Sequence, residues 1–216
     1  MKIALIGATG FVGSQVLAEA LQRGHQVTAL VRDPLKLGAR PNLKVAKIDA
    51  TDAAAVGEAA AGHDVLVSAY NGPRGQDDFA ARYLQGARAV VSGAKRGRVP
   101  RLLWVGGAGS LEVAPGVQLL DTPQFPAEYR TEARAARDAL ALLRDEAELD
   151  WSFVSPAPML APGERTGRFR LGGDQVLMDS QDPAQPGRIS VQDLAVAIVD
   201  ELEKPAHSRQ RFTLAY

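Results

Sequence analysis

Cysteine is absent from the 216 residues, which excludes disulfides, thiolate catalysis and cysteine-based metal sites outright. Histidine is scarce: His25, His63 and His207 stand far apart, so no histidine metal site is expected. Net charge is also lacking, with 25 basic side chains against 25 acidic ones. Nucleic acid and anionic membranes both call for a basic surface, so neither is an expected partner. No apolar run approaches the roughly 18 residues of a membrane span, and Met1–Ile6 reaches glycine too soon for a signal sequence. The expected compartment is the cytoplasm. Internal repeats and low-complexity stretches are missing as well. Core material is plentiful: 46% of residues are hydrophobic and 23% charged, enough for one α/β domain spanning 1–216.

Short β-rich runs occur at Lys2–Ile6, Gln26–Val31, Leu43–Ile48, Asp64–Ser68, Arg101–Val105 and Trp151–Val154. Between them lie alanine-rich stretches with helical spacing, at Phe11–Arg23, Ala53–Ala61, Phe79–Ala94 and Tyr129–Leu143. Alternating strands and helices predict a parallel sheet covered on both faces, because the crossovers are right-handed. The expected architecture is α/β, a doubly wound Rossmann sheet of order 3-2-1-4-5-6-7 with a small C-terminal substrate lobe. Two stretches, about 106–127 and 155–188, exceed ordinary connections and read as functional insertions. The second contains strand-like pieces at Phe169–Leu171 and Gln175–Met178. A helix over Val191–Glu203 follows, with Ser190 and Asp193 spaced as a capping box, and Phe212–Leu214 supplies a last strand.

The strongest motif is Gly7-Ala8-Thr9-Gly10-Phe11-Val12-Gly13, directly after a strand and opening a helix. Glycines at these places permit a tight turn, close approach of backbone to a pyrophosphate, and close helix–strand packing. The helix start offers unpaired N–H groups and a positive dipole end. Gly7, Thr9, Gly10, Phe11, Val12 and Gly13 are therefore candidate cofactor contacts. At the end of the second strand an acidic residue usually holds a ribose hydroxyl, whereas an arginine takes a 2′-phosphate. Here Arg32 comes first and Asp33 second, so NADP(H) is preferred and NAD(H) stays open. Asp49 suits the adenine edge, and Ala69 and Tyr70 lie where the fourth strand passes the ribose. After the fifth strand, Gly106 begins a run of small residues with room for a nicotinamide ring. Ser110 at its end is a candidate hydrogen-bond donor to the carboxamide or to substrate.

Together these residues resemble an atypical short-chain dehydrogenase/reductase. More narrowly, the chain is similar to small NAD(P)H–flavin reductase-like proteins related to biliverdin-IX-beta reductase and NmrA-type NADP binders. The resemblance runs nearly the full length, through Gly7–Gly13, Leu30–Asp33, Leu149–Trp151, Val154–Pro156, Pro162–Gly167 and Ile189–Leu194. It implies a Tyr-x-x-x-Lys pair in classical members, the tyrosine acting as acid/base. Tyr129 stands where that tyrosine would be, but position 133 is alanine, and the next basic residue, Arg134, is turned away around the helix. Tyr129 also heads a stripe with Ala133, Ala136, Leu140 and Leu143, so packing is as good a reading as catalysis. Biliverdin reducers carry a histidine after the sixth-strand prolines; Ser155–Met159 has none.

The expected activity is hydride transfer from NAD(P)H to a flavin- or quinone-like acceptor that needs little help with protons. Tyr70, Phe125, Tyr129, Met159 and Arg165–Arg170 are candidate walls. A non-catalytic NADP(H) sensor is the alternative, and sugar-nucleotide epimerase or dehydratase chemistry is disfavoured by Ala133. The expected partner is a small-molecule acceptor, the state monomer or homodimer.

Overall fold

The computed structural model describes residues 1–72 and 78–216. Strand β1 (Lys2–Ile6) is followed by α1 (Phe11–Gln22), β2 (Gln26–Val31), β3 (Leu43–Lys47), α2 (Ala53–Ala60), β4 (Val65–Ser68), α3 (Phe79–Arg96) and β5 (Arg101–Val105). A hairpin of β6 (Glu112–Ala114) and β7 (Val117–Gln118) precedes α4 (Arg130–Arg144). Then come β8 (Asp150–Pro156), β9 (Met159–Ala161), β10 (Arg170–Gly172), β11 (Arg188–Ser190), α5 (Val191–Glu203) and β12 (Gln210–Ala215).

The main sheet runs β10-β12-β8-β5-β4-β1-β2-β3. Seven strands are parallel in the expected order, β8 and β12 being the sixth and seventh. β10 extends the sheet by an antiparallel edge, pairing Leu171 with Leu214. Strands β1 and β4 are almost wholly apolar because helices cover both faces. On one face α1 and α5 bury Val16, Leu17, Leu194 and Ile198 over Leu5 and Leu214. On the other, α2, α3 and α4 bury Val56, Val90 and Leu140 over Leu66 and Trp104. Each such side chain contributes about 1.5–3 kcal/mol by leaving water. The order reverses beside β1, which pairs with β2 on one side and β4 on the other, and this opens a crevice at the strands' carboxyl ends. Among the described residues no helix is long and apolar enough to cross a membrane.

Three expectations change. Gln175–Met178 is not a strand: it makes single bridges, Gln175 to Glu112 and Met178 to Pro186, because its two ends attach to different neighbours. Helix α4 starts at Arg130, since Ala127–Tyr129 after Pro126 forms a 3₁₀ turn. Tyr129 therefore leaves the stripe that Ala133, Leu140 and Leu143 bury. The capping box is half made. Ser190 Oγ accepts from the Asp193 N–H at 2.9 Å, but the Asp193 carboxylate turns to Thr166 Oγ1 (2.5 Å) and the Gly167 N–H (2.8 Å).

Candidate functional site

Gly7 turns the chain after β1 with φ +83°, a conformation glycine adopts without steric cost. A Cβ there would stand 2.4 Å from the Ala69 carbonyl oxygen, so the ends of β1 and β4 approach as only glycine allows. The Gly10 N–H closes the turn on the Gly7 carbonyl at 2.8 Å. Gly10 then caps α1 without a side chain, and the first helical turn carries no acidic residue. The N–H groups of Phe11, Val12 and Gly13 have no intrahelical acceptor, which suits a phosphate. Gly13 rests on the turn itself: its Cβ would lie 2.1 Å from the Gly7 carbonyl oxygen. Gly10 is different. Its Cβ would stand 3.2 Å from the Gly7 carbonyl oxygen, a tight contact that a shift of a few tenths of an ångström would relieve, so Gly10 is less constrained by packing than Gly13.

A cleft of about 920 Å³ opens from this turn across the ends of the first strands. Of the predicted residues, Gly7, Thr9, Gly10, Arg32, Asp49, Ala69 and Tyr70 line it. Lys36, Thr51, Arg82 and Gln85 line it too, and sequence reasoning missed them. Lys36 was within reach, four residues past Arg32; Arg82 was not, because its place depends on how the start of α3 packs beside β1 and β4. The Asp33 carboxylate accepts from the Leu35 N–H at 3.1 Å and caps a 3₁₀ turn, Pro34–Lys36. Asp49 accepts from the Thr51 N–H (2.9 Å) and hydroxyl (2.8 Å). Those bonds, with the nearby Arg32 charge, hold its carboxyl below the usual range. Burial and the Asp49 charge push the Tyr70 phenol up. Its ring packs on α3, where a Cβ at Gly86 would stand 2.4 Å from Tyr70 Cζ. This half fits a dinucleotide: a glycine cradle, free N–H groups at a helix start, and cations beyond.

The other end is made differently, and Gly106, Ser110 and Tyr129 lie outside the lining of the cleft. Gly106 is small for an internal reason, since a Cβ would lie 2.0 Å from the Phe153 ring. Ser110 is 3% exposed and its hydroxyl accepts from Arg211 Nη1 at 3.2 Å. Accepting from Arg211 leaves the hydroxyl's own proton available to donate. Tyr129 is 59% exposed, which removes the packing reading. Ala133 is buried against Gly109, whose Cβ would be 2.7 Å from the alanine methyl, so the loop fills the space a lysine there would need. Between Lys95 and Lys204 the chain has neither lysine nor histidine.

The Pro162–Gly167 stretch is a strap. Arg165 meets buried Glu19 of α1 through Nε and Nη2, both at 2.7 Å, while Thr166 and Gly167 hold Asp193 of α5. Arg165 is thereby tied to α1. Exposed apolar side chains are unevenly spread along the chain. Of the ten large hydrophobics exposed among the described residues, Phe11, Val113, Val117, Tyr129, Met159, Leu171 and Met178 lie on the start of α1, beside α4 or in the insertions.

Residues 7–205 match the family model described as NAD(P)H-binding. Among solved structures, a protein of Burkholderia pseudomallei, provisionally described as exported, is 48% identical over 100% of both chains, with a TM-score of 0.89. A provisionally described epimerase of Bacteroides thetaiotaomicron is 43% identical over 100% of this chain and 96% of its own, with a TM-score of 0.91. A provisionally described NADH-flavin reductase of Streptococcus pneumoniae is 34% identical over 100% of this chain and 99% of its own, with a TM-score of 0.86. The glycine cradle, the strand order and these matches agree: the chain belongs to the NAD(P)H-binding family, has a Rossmann oxidoreductase fold and takes NAD(P)H as its cofactor.

Proposed function

We propose that the protein is an NADPH-dependent reductase delivering hydride to a flat, apolar acceptor of the flavin or quinone type. The observation that carries this reading is the chemistry of the acceptor end. Exposed Phe11, Tyr129 and Met159 offer apolar walls, while the position of the classical lysine is alanine packed against Gly109. A carbonyl acceptor needs a proton from a tuned acid as hydride arrives. A flavin or quinone takes its proton from solvent, so the protein has only to bind, orient and exclude water.

When bound, the reduced nicotinamide supplies the hydride. In this reading the N–H groups of Phe11, Val12 and Gly13 hold the pyrophosphate, and Asp49 and Tyr70 border the adenosine. Arg32 and Lys36 take the 2′-phosphate; Asp33 has one carboxylate oxygen engaged by Leu35 N–H, which favours NADP(H) over NAD(H). The name of the Streptococcus pneumoniae relative supports a flavin acceptor.

The test is steady-state oxidation of NADPH and NADH with FMN, a short-chain quinone, an aldehyde, or no acceptor. The reading expects oxidation that depends on flavin or quinone and is faster with NADPH. Tight NADPH binding without oxidation by any acceptor would overturn it in favour of a cofactor sensor. Turnover with the aldehyde alone would overturn it in favour of carbonyl reduction.

A further inference from the structure

Arg211 on β12 is a buried cation beside Phe212, 7% exposed and at least 37 residues in sequence from its side-chain hydrogen-bond partners. Its Nη1 donates to the Ser110 carbonyl at 2.8 Å and to Ser110 Oγ at 3.2 Å. Its Nε donates to Asp174 Oδ1 at 2.7 Å, and its Nη2 to the same carboxylate and, at 3.2 Å, to the Asp174 carbonyl. Ser110 belongs to the 106–127 insertion and Asp174 to the 155–188 insertion.

The two insertions also meet directly above this contact. The Glu112 N–H donates to the Asp174 carbonyl at 2.8 Å, and the Val176 N–H to the Glu112 carbonyl at 2.9 Å. Arg144 of α4 joins from outside, reaching Asp174 Oδ1 at 3.0 Å. A planar guanidinium presents five donors in a fixed fork, so one side chain can fix two backbones at once. A surface ion pair would be expected to contribute little. Arg211 is instead beneath both segments, 7% exposed, with its head on the carbonyl of buried Ser110 and on Asp174.

We propose that Arg211 is a positioning residue that locks the two insertions into one wall on the acceptor side of the crevice. It acts through Ser110 and Asp174 and touches neither cofactor nor acceptor. The Ser110 carbonyl and hydroxyl, which both accept from Arg211, are then anchors of the wall. The kinetic part of this inference rests on the reductase reading above; the structural part does not.

Hydrogen exchange by mass spectrometry, on the full chain, tests the structural part with Arg211→Met and Arg211→Lys. Methionine keeps the apolar stem and removes every donor, and Asp174, with a side chain 54% exposed and Arg144 beside it, stays solvated and paired. The expected result is exchange about tenfold faster in both 108–118 and 170–178, the change that one charge-assisted hydrogen bond makes in a local opening equilibrium. Exchange in β1–β4 should stay as in the parent. Lysine, with one compact head, should restore one segment in part but not both.

Kinetics supply the second reading. In Arg211→Met the KM for the acceptor should rise about tenfold on the same grounds, while the KM for NADPH changes less than about twofold, since the adenosine end is built from other strands. Faster exchange in only one insertion, or equally across β1–β4, would overturn the proposal. So would equal loss for NADPH and acceptor. If the parent protein oxidises NADPH with no acceptor, the reductase reading fails, and the exchange pattern alone still decides the role of Arg211.

Discussion

The two ends of the crevice are built from different materials. The dinucleotide end is made of backbone: Gly7, Gly10 and Gly13 set carbonyls, N–H groups and a helix start within one turn. The insertions are instead held by side chains that act over long sequence distances, Arg211 reaching Ser110 101 residues away and Arg165 reaching Glu19 146 residues away. The backbone cradle has little slack, because a Cβ at Gly7 or Gly13 would stand 2.4 or 2.1 Å from a main-chain oxygen. A side-chain wall can be loosened contact by contact. The first kind suits a cofactor that never varies, the second an acceptor site that differs between relatives sharing one fold.

Substitution at the glycines breaks the comparison most severely. Gly13→Ala puts a methyl 2.1 Å from the Gly7 carbonyl oxygen, and neither backbone can yield without moving β1 or α1. A loss of more than about 3 kcal/mol in unfolding free energy is expected, beyond the usual range for overpacking because the obstacle is main chain. Urea denaturation of the protein without nucleotide would measure it. Gly10→Val should behave in the opposite way. Its Cβ would lie 3.2 Å from the Gly7 carbonyl oxygen, which a few tenths of an ångström of movement relieves, so the fold should lose only about 1–3 kcal/mol, the ordinary range for overpacking. NADPH binding, measured by calorimetry, should nonetheless disappear. Equal destabilisation by both substitutions would erase the distinction between packing glycine and ligand-facing glycine.

These contrasts also explain what the sequence made legible. The seven-strand parallel order followed from local periodicity and one glycine motif, both of which depend on neighbours in the chain. Ser190 as a helix cap was readable for the same reason. Asp193, its expected partner, was not: Thr166 and Gly167, more than twenty residues away, compete for its carboxylate. The protein neighbours of Gly106 and Ser110, Phe153 and Arg211, were not legible because they come from other strands. Tyr129 shows how little suffices. A 3₁₀ turn after Pro126 delays α4 by one residue, and the side chain leaves the buried stripe for solvent. The antiparallel edge β10 depends on its pairing with β12, which no local pattern encodes.

Cofactor choice is expected to respond more gently. A charge-assisted hydrogen bond to a phosphate contributes about 1.5–3 kcal/mol, so Arg32→Ala should weaken NADPH binding at least about tenfold. NADH, which lacks the 2′-phosphate, should bind as before. Lys36→Ala should shift selectivity in the same direction by a smaller factor. Calorimetric titration of both cofactors checks this, and equal losses for NADPH and NADH would contradict the assignment of Arg32 to the phosphate.

The smallest expected effect tests the central claim, that this protein orients hydride transfer without donating a tuned proton. Tyr129 is the exposed phenol where the classical acid would stand, and Ala133 replaces its lysine. The measurement is kcat for NADPH-dependent reduction of a quinone by the parent protein and by Tyr129→Phe, side by side, with NADPH affinity determined for each. A general acid contributes about 10²–10⁴-fold, so its presence or absence is easily separated. The account predicts a kcat within about twofold of the parent, as expected where no protein acid takes part in the rate-limiting step. A hundredfold fall with unchanged NADPH affinity would contradict it and make Tyr129 the working acid of a carbonyl reductase.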